Sequence, residues 1–445
     1  MNTPVCDFVR TYAASRFVRM HMPGHKGTPR LGPEPLDITE IAGADELYHA
    51  RGIIRESEKN AAGIFGAART LYSTEGSSQC VRAMAALARG YALDKGIPAR
   101  ILAGRNAHQS LLSAAALLDL ETDWLYPEPE EGLLACTVTP ERLDQALSEK
   151  KYAAVYLTSP DYLGRLTPLR PLADVCHAHD TLLLVDNAHG AYLKFLPKSL
   201  HPLDQGADLC CDSAHKTLAC LTGAAYLHIA KGAPTALRGR ASAALQLFGS
   251  TSPSWLILQS LDRMNAELAG DFSQRLADTC LRLTALKSSL TAAGWPIVGK
   301  EPLKLTLRPK AFGFTGLQLA DLLRTHHIEP EFADPDFLTL MPAPDTPAAD
   351  WYRLSRAFRS IAPRDPMPEQ LLPVPRLSRV CSIREAMLGP REEIPVTEAE
   401  GRVLADASLS CPPAVPIAVP GERLNREAAA CFAYYGISSC FVLQA

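Results

Sequence analysis

The sequence predicts an α/β fold built on a mostly parallel sheet. Short apolar runs alternate with helix-period segments from Thr70 to Ile229, the pattern of strands joined by crossover helices. Several of those runs end abruptly in hydroxyls, a carboxylate or a lysine, and ligands gather at the carboxyl ends of strands in such sheets. The chain has 445 residues, too many for one ordinary core, so a large domain followed by smaller ones is expected. Boundaries fall at residues 1–295 for an N-terminal arm and large domain, 296–372 for a small α+β domain and 373–445 for a C-terminal domain.

Each element has its own signal. Val5–Ser15 and Gly52–Phe65 carry apolar faces at helical spacing. Thr70–Thr74 reads as a strand, followed by a Gly76-Ser77-Ser78 turn and a helix over Gln79–Leu93. Such a turn points backbone N–H groups, the positive end of the helix dipole and two hydroxyls at one place, which suits a phosphate, although an ordinary helix cap has the same signature. Arg100–Ala103 is a strand, and Arg105–Ser110 then opens a helix over Leu111–Leu120 in which His108 either caps or lays its ring on a flat group. Ala153–Thr158 is a strand, Pro171–His179 a helix, and Thr181–Asp186 a strand ending in a carboxylate. Ala207–Cys211 is a strand leading to Lys216, and Gly223–Ile229 is a return strand.

A helical stretch over Leu256–Ala293 leads to the smaller unit. There Lys304–Leu307, Ile328–Phe332 and Phe337–Met341 read as strands and Thr315–Thr325 as a helix, with Thr346 as an N-cap and Pro347 at the first helical position. Pro363–Pro375 is a Pro-rich joint. Thr397–Glu400 has the spacing of a capping box, and a Pro-rich loop runs from Cys411 to Glu422.

Composition excludes several classes. A net charge of −3 argues against a nucleic-acid partner. No apolar window approaches membrane-spanning length and the N-terminus lacks a signal pattern, so a cytoplasmic protein without membrane attachment is predicted. The twelve cysteines include no C-x-x-C pair, and several sit in apolar runs as small hydrophobes, so no metal site is predicted.

Two strand ends carry the chemistry. A lysine at the end of a buried strand tends to lose its proton, and a neutral amine is what a Schiff base to an aldehyde requires. Lys216 stands in such a place, in Asp212-Ser-Ala-His-Lys-Thr217, and Asp186 ends the preceding strand in Asp186-Asn-Ala-His189. A lysine for an aldehyde and an aspartate for a pyridinium nitrogen are the groups that pyridoxal phosphate chemistry most needs. A lone strand-end lysine is usually a solvated surface residue and a lone strand-end aspartate a turn former. The order of phosphate cradle, His108, Asp186 and Lys216 along one chain favours a single cofactor site.

With the His21-Met-Pro-Gly-His-Lys26 run, the Asp37-Ile-Thr-Glu40 segment, Ser213-x-His-Lys-Thr217, Ser250-Thr-Ser-Pro253 and the Pro-Pro-x-Val-Pro…Pro-Gly-Glu422 tail, the chain resembles the ornithine/lysine/arginine decarboxylase family, in its short, biosynthetic-type branch. The resemblance implies an aspartate-aminotransferase-like, pyridoxal phosphate fold type I enzyme. It implies that Lys216 holds pyridoxal 5'-phosphate, Asp186 pairs with the ring nitrogen, His108 stacks on the ring and His189 lies beside it. Ser77, Ser78, Ser213 and His215 are then expected at the phosphate, with Thr251 reaching it from the other subunit of a homodimer with shared sites. Glu75 in the phosphate turn departs from the family pattern by setting a carboxylate near a phosphate.

The implied reaction is decarboxylation of a basic amino acid, arginine first and lysine or ornithine next, giving a polyamine-type amine. Another reaction on the same fold, such as transamination or elimination, is the alternative enzyme, and a non-catalytic pyridoxal phosphate-binding homologue is the alternative from another class. A distal ammonium or guanidinium needs a carboxylate. Glu422, Asp45 and Glu46 are the candidates, and a solvent-facing Glu422 after its Pro-Gly turn is the competing reading.

Overall fold

The computed structural model describes residues 1–15, 17–369, 371–407, 410–411 and 414–444. The Pro412-Pro413 pair of the predicted stiff loop lies outside the described residues. In chain order the helices and strands are α1 (Pro4–Ala14), α2 (Ile53–Phe65), β1 (Arg69–Ser73), α3 (Gly76–Lys95), β2 (Arg100–Gly104), α4 (Gln109–Leu118), β3 (Glu121–Leu125), α5 (Pro140–Glu149), β4 (Ala154–Thr158), α6 (Leu169–Ala178), β5 (Leu182–Asp186), β6 (Leu209–Asp212), α7 (Ala214–Thr217) and β7 (Ala225–Ile229). They continue with α8 (Thr235–Gln246), α9 (Trp255–Leu268), α10 (Phe272–Ala292), β8 (Ile297–Val298), β9 (Leu305–Leu307), α11 (Gly316–Thr325), β10 (Phe332–Ala333), β11 (Leu338–Leu340) and α12 (Ala348–Ser360). The class is α/β with mostly parallel pairing among the longer strands. Two compact units are formed, Met1–Pro98 with Leu169–Gln274, and Ala99–Pro168 with Arg275–Ala445.

In the first unit the strand order is β1-β7-β6-β5. β5 and β6 run parallel, with Val185 opposite Cys210. β7 runs antiparallel to both its neighbours, pairing His228 with Cys210 and Leu227 with Leu71. Every residue of β5, β6 and β7 is buried, as continuous apolar runs covered on both faces require. Polar ties hold the helices to this sheet. Ser57 and Asn265 meet the Tyr72 hydroxyl, each at 2.7 Å, and the Cys6 amide donates to Asp262 at 2.9 Å, which fixes α1.

α3 begins three residues earlier than its apolar face predicts. Gly76 adopts a φ of +72°, a left-handed conformation open to glycine, which turns the chain from β1 straight into the helix. Glu75 occupies the N-cap position without a side-chain cap bond, so the first-turn amides are not consumed by their own cap.

In the second unit β4, β2 and β3 run parallel, Ile101 lying opposite both Ala154 and Thr122. β3 has no counterpart in the sequence prediction. Its residues Glu121, Thr122 and Asp123 form no apolar run, and its first residue is exposed. A four-stranded antiparallel sheet, β10-β11-β9-β8, packs with α11 and α12 around Trp295, whose ring stacks on Phe312 with centroids 3.8 Å apart. Toward the C-terminus, Arg391–Pro395 pairs with Ser439–Leu443 over a core that includes Leu134, Ile417 and Phe432.

Helix ends differ from the sequence signals in two further places. Thr397 lies inside a short 3-10 turn over Val396–Glu398 whose N-cap is Pro395; among the described residues capping boxes form at Glu128 with Glu131, Thr315 with Gln318 and Ser382 with Glu385. α12 starts at Ala348, with Pro347 at the N-cap position. Among the described residues no helix is long and apolar enough to cross a membrane.

Candidate active site

Lys216 does not sit on a strand. β6 ends at Asp212, Ser213 is extended, and the chain then coils into the single turn α7, which carries Lys216. Its amine lies 3.0 Å from Nε2 of His189. His189 belongs to the turn that leaves β5, and the same turn begins with Asp186. Asp186 is buried and accepts from the Ala188 amide at 3.1 Å. The thiol of Cys211 stands 3.7 Å from the same oxygen. Two neighbouring strand ends of the first unit thus bring a carboxylate, an imidazole and an amine into one small region.

The hydroxyls come together as well. Ser213 Oγ donates to Ser77 Oγ at 2.7 Å, which joins the end of β6 to the first turn of α3. Ser78 follows in that turn. Thr217, the residue after the lysine, has a buried Oγ1 with no hydrogen-bond partner among the described residues. A buried polar atom of that kind calls for a ligand or water. His215 turns its Nδ1 to the carbonyl of Ala224 at 2.9 Å, so that nitrogen carries the proton. The Glu75 carboxylate accepts from the Ser250 amide. Thr251 follows Ser250 on an exposed loop.

The remaining sequence candidates fall in different surroundings. His108, in the second unit, is the N-cap of α4, its Nδ1 accepting from the Ser110 amide at 3.1 Å. Asp45 is committed to backbone: its carboxylate takes the amides of Arg51 at 3.0 Å and Gly52 at 2.8 Å, and those of Ile54 and Arg55 at the start of α2. Glu46 pairs with His49 at 2.8 Å on the surface, with both side chains more than half exposed. Glu422 is buried, accepts from the Val419 amide at 2.7 Å and lines a cavity of about 710 Å³ within the second unit, beside Trp124 and Tyr126. Burial pushes its carboxyl upward, and the Arg105 guanidinium works in the opposite direction. Arg105 is itself fully buried, donating to the carbonyls of Pro416 at 2.7 Å and Ile417 at 2.8 Å.

Sequence reasoning missed the groups behind the site. Asn187, His201 and His228, all fully buried in the first unit, each bond to the equally buried Asp212. Asp212 heads the lysine motif, but nothing in its spacing to His201 or His228 marks a shared network.

A pyridoxal phosphate group requires an amine for its aldehyde, an acceptor for its ring nitrogen and donors for its phosphate. Lys216, Asp186 and the Ser77 and Ser213 hydroxyls at the head of a 20-residue helix supply those chemistries within one unit. The residues present fit the group.

Two family models match the chain, that for the Orn/Lys/Arg decarboxylase major domain over residues 3–297 and that for the Orn/Lys/Arg decarboxylase C-terminal domain over residues 366–442. An arginine decarboxylase of Bacillus subtilis (strain 168) is 30% identical, over 96% of this chain and 92% of its own length. One of Halalkalibacterium halodurans is 29% identical, over 96% and 91%. Among solved structures, a lysine decarboxylase of Francisella novicida superposes with a TM-score of 0.79 at 17% identity, covering 99% of this chain and 81% of that one; this likeness concerns the fold.

The Asp45 geometry leads to a direct test. Asp45→Ala removes the acceptor for the first amides of α2 and should cost about 1–2 kcal/mol of stability, seen as a lower chemical-denaturation midpoint. An unchanged midpoint would show that Asp45 does not anchor the helix.

Proposed function

The chain belongs to the Orn/Lys/Arg decarboxylase family, and from that premise we propose that it releases CO2 from arginine first, with lysine and ornithine next, using pyridoxal 5'-phosphate held at Lys216. The 3.0 Å contact between Lys216 and His189, beside buried Asp186, carries the reading. When bound, the cofactor supplies a sink for the electron pair left on the α-carbon as CO2 departs.

The chain's own residues have distinct tasks in this proposal. Asp186 keeps a proton on the cofactor's ring nitrogen, and its buried position makes that charge pairing strong. Ser77, Ser78, Ser213 and His215 bind the phosphate, and Thr217 joins them. His189 passes a proton to or from the Lys216 amine, so that either can return one to the α-carbon. His108 supports the ring face. Thr251 serves the site of a partner subunit in a homodimer, and the division of the chain at 295 and 372 belongs to the same proposal. We assign the substrate's distal cation to Glu422, since Asp45 is taken up by amides and Glu46 by His49. The setting is a cytoplasmic one, and the product a polyamine-type amine.

Three measurements test this function. Borohydride reduction of the holoprotein should fix the cofactor to the peptide containing Lys216, with arginine giving the fastest CO2 release of the three amino acids; cofactor still trapped in Lys216→Ala would displace that assignment. Asp186→Ala should retain cofactor yet lose about 4 kcal/mol of transition-state stabilisation, roughly a thousandfold in rate, and a loss below tenfold would reject the ring-nitrogen role. Glu422→Gln should raise the KM for the basic substrate tenfold or more with the visible spectrum unchanged. An unaltered KM would free Glu422 from the substrate.

A further inference from the structure

Behind the candidate site lies a carboxylate the reaction does not use. Asp212 ends β6 with no solvent exposure. One of its oxygens faces Nε2 of His201 at 3.0 Å and Nε2 of His228 at 3.2 Å. The other accepts from the side-chain amide of Asn187 at 2.6 Å. His228 lies on β7, and its Nδ1 meets the Thr70 hydroxyl of β1 at 2.9 Å. Nδ1 of His201 accepts from the Leu203 amide, which leaves the ring proton on Nε2, toward Asp212. Burial alone would raise the Asp212 carboxyl, but the two histidines outweigh it and hold it well below the usual range. Burial pushes His228 downward.

An anion so placed costs free energy unless it is fully met by donors, and an apolar side chain of similar size would fill the space at less cost. What the carboxylate adds is position. Asn187 follows Asp186, and its amide nitrogen donates to the Cys211 carbonyl at 3.0 Å. Its side-chain oxygen packs so tightly on Gly190 that a Cβ there would approach to 2.0 Å. The turn closes with Gly190 N donating to the Asn187 carbonyl at 2.8 Å. That turn carries Asp186 at its start and His189 near its end, with His189 against the Lys216 amine.

We propose that Asp212 is a positioning residue: gripped by His201 and His228, it orients Asn187 and thereby fixes the 186–190 turn that presents Asp186 and His189. The inference rests on the cofactor reading only for one of its two readouts. The same cluster also sets Cys210 near His201 and Asp212, with ligand atoms within 4.8 Å of one another, so a bound metal is the competing occupant.

The test compares Asp212→Asn, Asn187→Ala and the double variant. In cofactor-free protein carrying 15N-labelled histidine, the His189 imidazole resonances should move in both single variants and no further in the double. In holoprotein, the visible band's titration should shift by half a pH unit or more and kcat should fall at least tenfold with KM within twofold, again without added loss in the double. Unmoved His189 resonances, or lower melting temperatures with an unshifted titration, would make Asp212 merely structural. Additive losses would break the path through Asn187, and one zinc per chain lost in Asp212→Asn would make the cluster a metal site. A wild-type protein with no visible band would count against the cofactor reading alone, since the imidazole resonances decide the positioning role without it.

Discussion

A carboxylate removed from water must be met by donors, and the folded chain is organised around places where this demand is satisfied. An unmet one costs several kcal/mol, more than any single packing contact returns. Asp212 receives three donors from three segments, and Asp186 receives the amide two residues on. In the second unit Asp161 accepts from the Arg165 amide at 2.8 Å, and burial still lifts its carboxyl to about 6. Near it Lys304 and Glu301 form a fully buried pair at 3.0 Å. Each such group pins the loop that carries it, because moving the loop would strand the charge.

Much of the first unit was legible in the sequence because its strands are continuous apolar runs ended by polar residues. β5, the return strand β7 and the polar edge at Asp186 read directly from that contrast. β3 did not, since Glu121 and Asp123 make their bonds to Arg100 and Lys150, and the strand shows little apolar pattern. The three-residue error at the start of α3 has a local cause. Apolar periodicity marks where a helix packs, whereas the helix begins wherever a residue such as Gly76 can make the turn.

The lysine motif was legible by residue type, but not by conformation. An apolar run followed by polar residues predicts a strand end, yet Lys216 rides a helical turn, and this aims its amine at His189. The partners of Asp212 were invisible for another reason. His201 and His228 approach it from a loop and from a return strand, and such contacts between distant segments leave no period in the sequence.

The placement of β7 between β1 and β6 also bears on how the polypeptide is made. Arg69 pairs with Ile229 and Ser73 with Ala225, so β1 emerges from the ribosome long before the strand that will cover its edge. Contacts of such wide sequence separation form slowly, and an unpaired strand edge waiting for its neighbour is an opportunity for pairing with another nascent chain. Between translation of Ser73 and of Ile229 the edge of β1 that β7 will cover therefore lies unpaired.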